Sequence, residues 1–216
     1  MERSDVWTAI DDHRRALVTL LEDLSEEEWS QPSLCDGWTV RQVAAHLALQ
    51  NTTWSNMPRA VLDLVRHGGM NGAIHAMACR HGALPVEVIV SEIRARIGVW
   101  RPLPTLTFRE TAIDYLVHGQ DIAIPVGRSL QTPPGLAVIA ADRVWSRSRM
   151  FHARKRLARY RLVADDARWA VGQGHEVSGP IGALLLLLTG RVAALPQLSG
   201  SGAADLRELL TPSPAV

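Results

Sequence analysis

FRETAIDYLVHGQDIAI, residues 108–124, sets Asp114, His118 and Asp121 into a run that is otherwise mostly apolar. Plotted at about 100° per residue, Phe108, Ala112, Tyr115, Leu116, Ile122 and Ala123 fall on one side. Ile113, Val117 and Ile124 fall on a second side, and Asp114, His118 and Asp121 form a narrow stripe between the two. A helix that is apolar on two sides is predicted to be largely buried, so its polar stripe should face a cavity rather than open water. Thr107 and Glu110 stand at the spacing of a capping box and predict where the helix starts.

The segments on either side carry the same kind of signal. In residues 4–24, Val6, Ile10, Leu17, Leu20, Leu21 and Leu24 recur at helical spacing, with Asp11, Asp12, Arg14 and Arg15 on the other side. Ser25 with Glu28 and Thr39 with Gln42 are two further capping boxes, the second opening VRQVAAHLALQNTTW. A helix is expected over part of 56–67, broken by HGGMNG, followed by another turn or two in AIHAMACRH. PVEVIVSEIRARIGVW reads as a helix stopped by Pro102 and Pro104. Residues 132–150 read as one more, with Thr132 as N-cap and Pro133 at the first helical position. The result is a mainly α chain whose first 152 residues form a helical bundle.

The pattern then changes. YRLVADD, RWAVGQG and HEVSG alternate partially between Asp and Gly punctuation, which predicts a small antiparallel meander. PIGALLLLLTGRVAAL and AADLRELL predict helices after it, so residues 153–216 are expected to form a smaller α+β domain.

Composition narrows the function. Of 216 residues, 23 are Lys or Arg and 22 are Asp or Glu, a net charge of +1 that advertises no polyanionic partner. The basic stretch at 147–161 reads as a solvated helix end and linker, without the stacking aromatics or recognised fold that nucleic acid would require. The longest apolar run, IGALLLLLTG, is far short of the ~18 residues a membrane span needs. The amphipathic N-terminus lacks a signal-peptide core, and two cysteines make no disulfide framework. These features predict a cytoplasmic protein, monomer or homodimer, whose partners are small molecules rather than nucleic acid or membrane.

Asp114 and His118 are four residues apart, a spacing shared by ordinary helical ion pairs and by paired metal ligands. A zinc site that does chemistry uses three protein groups and keeps a position open. His46, on the flank of the helix opened by Thr39, is the best third candidate, although a lone histidine there also reads as a core residue. His67, His75, Cys79 and His81 compete, but their segment is broken by glycine and offers no carboxylate. Cys35, next to Asp36 and Gly37, reads either as a small loop residue or as a thiol near the site.

LCDGWTVRQVAAHLA (34–48) followed by DYLVHGQDIAIPVGR (114–128) resembles the DinB-like superfamily, in particular its mycothiol-dependent maleylpyruvate isomerase branch. The tail RLVADDARWAVGQGHEVSGPIGALLLLLTGR resembles the small sterol-carrier-like module often fused to that branch. The resemblance implies a four-helix bundle in which His46, Asp114 and His118 bind a divalent metal, usually zinc. It also implies mycothiol, a thiol of actinobacteria, as cosubstrate. That source would suit a chain in which Lys155 is the only lysine among its basic residues. The isomerase has glutamate where this chain has Asp114, one methylene shorter. The implied activity is a zinc- and mycothiol-dependent thiol transferase or cis–trans isomerase acting on a small, carboxylate-bearing electrophile. The alternatives are a metal-dependent hydrolase and a non-enzymatic binding module. Asp121 is expected to orient a ligand or a water. The family's catalytic arginine has no motif match here. Gln120 and Arg191 are the candidates for holding a substrate carboxylate, and Arg191 is preferred.

Overall fold

A computed structural model of the protein describes residues 1–51, 66, 68–102, 106–147 and 151–211. The helix expected over part of 56–67, and His67 with it, fall outside the described residues apart from Arg66. The chain divides into two compact units, Glu2–Gln131 and Thr132–Val216, with Met1 joining the second.

The first unit is helical. Its described helices are α1 (Arg3–Glu22), α2 (Glu26–Ser30), α3 (Val40–Ala48), α4 (Met70–His81), α5 (Val86–Arg94) and α6 (Phe108–Ala123). Helix α1 packs on α5 and α6, while α3 packs on α4, α5 and α6, giving a four-helix bundle of α1, α3, α5 and α6 with α4 laid against α3. The core comes from the apolar faces read in the sequence: Val6, Ile10, Leu17 and Leu21 of α1, Val40, Val43 and Leu47 of α3, Ile89 and Ile93 of α5, and Ala112, Tyr115, Leu116 and Ile122 of α6. Burying each large aliphatic side chain contributes roughly 1.5–3 kcal/mol. The capping boxes at Ser25, Thr39 and Thr107 are all formed, each side chain accepting from the backbone of the first helical turn.

Several local expectations are corrected. Asp11 and Arg14 are buried, at 4% and 1% exposure, rather than solvated. Arg14 Nη1 donates to Asp11 and to the Arg96 carbonyl, and its guanidinium lies 4.6 Å from the Tyr115 ring centroid. Asp11 also accepts from Gly98 N and from Trp100 Nε1. These bonds fasten to α1 the turn that follows α5, which stops at Arg94 rather than running on to Trp100. The expected turn or two at 73–81 is a twelve-residue helix that begins at Met70, inside the glycine-rich break. Helix α3 ends at Ala48 and tightens into a 3-10 turn over Leu49–Asn51.

The second unit holds α7 (Pro134–Ser146), α8 (Ala153–Arg156), the strands β1 (Tyr160–Ala164), β2 (Ala170–Gly172) and β3 (His175–Gly179), then α9 (Ile181–Leu188) and α10 (Ala203–Leu210). The domain boundary expected at 152 thus falls at 131, because α7 belongs to this unit. The run Ala183–Leu188 in α9 is buried and apolar all round, so it needs cover on every side. Leu136, Ala137, Ala140, Ala141 and Val144 of α7 supply part of that cover, and Asp142 accepts a 2.8 Å bond from Trp169 Nε1. Pro133, not Thr132, is the N-cap of α7.

The sheet is not an antiparallel meander. Its order is β2-β1-β3, with β1 antiparallel to β2 and parallel to β3. Two glycines allow the chain to cross the start of β1 between β2 and β3. Gly172 has φ +79° and Gly174 φ +110°, and a Cβ at Gly174 would lie 2.1 Å from the Arg159 carbonyl oxygen. The helix expected to run unbroken over 180–195 ends at Leu188, where Gly190 (φ +93°) donates to Leu187 O and Arg191 N donates to Leu186 O. This pair of bonds is a Schellman ending, and a 3-10 segment, Val192–Gln197, follows it.

Candidate metal centre

His46, Asp114, His118 and Asp121 come together. Asp114, His118 and Asp121 lie along the stripe of α6, and His46 sits in the last turn of α3, which packs against it. Capping by Thr39 sets where α3 begins, and packing of its apolar side leaves His46 on the flank that meets α6. One ligand atom from each of His46, Asp114 and His118 can be chosen so that all three lie within 4.8 Å of one another. The two imidazole centroids are 4.9 Å apart. Ligands of one zinc ion, bonded at about 2.0–2.2 Å in a tetrahedron, are separated by about 3.3 Å, so the three need close by at most about 1.5 Å. Two imidazoles and a carboxylate are a zinc-type donor set, and all three residues are half-buried.

The surroundings orient each group. His118 Nδ1 donates to Asp121 Oδ2 at 2.8 Å, which leaves Nε2 for a metal. Asp121, fully buried, is the carboxylate of a carboxylate–histidine–metal arrangement, in keeping with its expected supporting role. Gln50 Nε2 donates to Asp114 Oδ2 at 2.9 Å. The carboxylate is thereby held through that oxygen. Burial disfavours charge on both histidines. For His46, burial and the nearby His118 charge push the pKa down to about 3. For His118, burial is outweighed by bonding to Asp121 and Cys35, and the pKa rises to about 10. Burial also raises Asp114, to about 6, against the opposing pull of His118.

Cys35 belongs to the site. Its Sγ donates to Asp121 Oδ2 at 3.0 Å and lies 3.6 Å from His118 Nδ1. The loop QPSLCDGW folds on itself to put it there. Ser33 N donates to Trp38 O, and Trp38 N donates to Cys35 O across a turn with Gly37 at φ +74°. Leu34 N then donates to Asp121 O, tying the loop to α6. Gln50 had no sequence signal. Gln50 follows α3 in the 3-10 turn, and Trp38 sets its ring edge-on to His46 at 5.9 Å.

Other candidates lie elsewhere. Gln120 Nε2 donates to the Leu130 carbonyl at 2.7 Å, a structural tie between the end of α6 and the chain that follows it. Arg191 belongs to the second unit, where Nη1 donates to Thr189 O. His81 pairs with Glu92, whereas His75 and Cys79 contact each other.

The sequence model for the mycothiol maleylpyruvate isomerase N-terminal domain matches residues 10–95. That match lies within the first unit. The maleylpyruvate isomerase fold extends over both units. A crystal structure of a histidine-to-alanine mutant of the mycothiol-dependent maleylpyruvate isomerase is similar at a TM-score of 0.63, with 94% of each chain covered and 14% sequence identity. The structure titled for the same enzyme without mention of a mutation gives a TM-score of 0.59 at the same coverage and identity. At that identity the likeness is one of fold. No curated protein matches the chain. Among the described residues, no helix is long and apolar enough to cross a membrane.

Proposed function

We propose that this chain is a divalent-metal enzyme, with zinc as the ion its ligands suit. It would use mycothiol to transfer a thiol to, or isomerise, a small carboxylate-bearing electrophile in the cytoplasm. The observation that carries this reading is the convergence of His46, Asp114 and His118 within 4.8 Å inside a bundle of the isomerase family. When bound, the metal favours the thiolate over the thiol of the cosubstrate, and a thiolate can add to an electron-poor double bond. Leaving again after bond rotation would give the other geometric isomer, whereas staying, with a proton taken up at the neighbouring carbon, would give a conjugate.

The chain's own residues prepare for this. His46, with its pKa pushed down to about 3, presents a neutral nitrogen at any physiological pH. His118 offers Nε2 while Asp121 holds its other proton. Asp114 adds one negative charge, and Gln50 sets its direction. A divalent ion with one thiolate would carry a single net positive charge, which the Asp114 carboxylate would balance, with Asp121 close behind.

Metal analysis of protein prepared without chelators, together with turnover of maleylpyruvate in the presence and absence of mycothiol, tests the proposal. About one zinc per chain and strictly thiol-dependent turnover are expected. Less than about a tenth of a metal per chain with no tight zinc uptake would overturn it. Metal-dependent turnover that persists without any thiol would assign the site to hydrolysis instead.

A further inference from the structure

The two cysteines of the bundle have opposite hydrogen-bonding roles. Cys35 gives its proton toward the Asp121 carboxylate. Cys79, on α4, receives instead: Gln42 Nε2 donates to its Sγ at 3.2 Å. The direction of that bond is fixed by the capping box, because Gln42 Oε1 already accepts from Thr39 N at 2.8 Å, so the amide nitrogen must face the sulfur. His75, one turn earlier on α4, places Nε2 3.3 Å from the same sulfur. A thiol, an imidazole within reach of its proton and an amide N–H aimed at the sulfur make up an activated nucleophile. Both Cys79 and His75 are half-buried rather than enclosed in the core. The dyad also adjoins the metal centre through one ring, since Trp38 lies 5.2 Å from His75 and 5.9 Å from His46.

We propose that Cys79, assisted by His75, is a modification site that exchanges with low-molecular-weight disulfides to form a mixed disulfide beside the candidate metal pocket. His75 Nε2 takes the Cys79 proton as Sγ attacks one sulfur of the small disulfide. The new Cys79 sulfur–sulfur bond forms as the old one breaks, and the departing thiolate recovers the proton from His75. No outside oxidant is needed, because the disulfide is itself the oxidised partner, and a free thiol reverses the reaction. In a protein proposed to work with a small thiol, the oxidised form of that thiol is the chemical class the site would meet.

The experiment treats the full chain, with and without added zinc, with oxidised glutathione or 2-hydroxyethyl disulfide, and follows adducts by intact mass and peptide mapping. One adduct at Cys79 is expected, forming about tenfold or more faster than any at Cys35 and removed by dithiothreitol. His75→Ala should slow it about tenfold or more, as loss of a positioned base does, and Cys79→Ser should abolish it. An adduct that appears first at Cys35, or none at Cys79 in the wild-type chain, would overturn the proposal without any variant being needed. An unchanged rate in a folded His75→Ala protein would do the same. Zinc content and thiol-dependent turnover are read separately, so failure here is distinct from failure of the metal reading.

Discussion

Zinc binding should release a number of protons that the structure fixes in advance. At pH 7.5 the metal-free site holds His46 neutral, its pKa being about 3, and Asp114 ionised, its pKa being about 6. His118, raised to about 10, carries a full extra proton. Coordination through His118 Nε2 must displace that proton, while Nδ1 keeps its bond to Asp121. Release of about one proton per zinc is therefore expected at pH 7.5. At pH 5 Asp114 is about 90% protonated in the free protein, so release rises to about two. Asp121→Asn is the sharp perturbation. It removes one of the two groups that raise His118 and leaves burial, the largest single influence, opposed only by Cys35. The pKa of His118 then falls, and release at pH 7.5 drops below the wild-type count. Isothermal titration calorimetry in buffers of different ionisation enthalpy at fixed pH measures these counts. Release near zero in the wild-type chain at pH 7.5, no rise on going to pH 5, or an unchanged count in Asp121→Asn would refute the reasoning.

Three further outcomes are expected. Gln50→Ala frees the Asp114 carboxylate to rotate and should weaken zinc binding about 10–100-fold with little loss of fold, measured by competition with a chromogenic chelator; unchanged affinity would remove Gln50 from the site. In metal-free protein the neutral His46 stabilises the fold above its unfolded pKa of 6.5, and that contribution is lost as pH falls toward about 3. His46→Gln should thus flatten the acid limb of urea-unfolding free energy by about 2–4 kcal/mol over that range, and parallel curves would contradict it. Gly174→Ala forces a Cβ into the Arg159 carbonyl at a φ of +110° and should cost about 2 kcal/mol or more, lowering Tm by about 4–8 °C in a thermal scan; an unshifted Tm would show that the crossing relaxes.

The sequence by itself determined what depends on neighbours along the chain. Helical spacing placed the apolar faces of α1, α3, α5 and α6, and Ser25, Thr39 and Thr107 marked three helix starts through contacts spanning three residues. The stripe of Asp114, His118 and Asp121 was legible for the same reason, since one helix fixes their relative directions. The family motif added His46. Tertiary structure decided what depends on residues far apart. Asp11 and Arg14 look solvated on a helical projection, yet they are buried because Gly98, Trp100 and Tyr115 come from other segments to meet them. The strand order and the place of α7 rested on how the chain crosses Arg159 and on which unit must cover an all-apolar α9. Gln50 and Cys35 entered the site through bonds to Asp114 and Asp121 that bridge 64 and 86 residues. Local spacing carries no trace of such pairs, because only the packed bundle brings their helices and loops within hydrogen-bond reach.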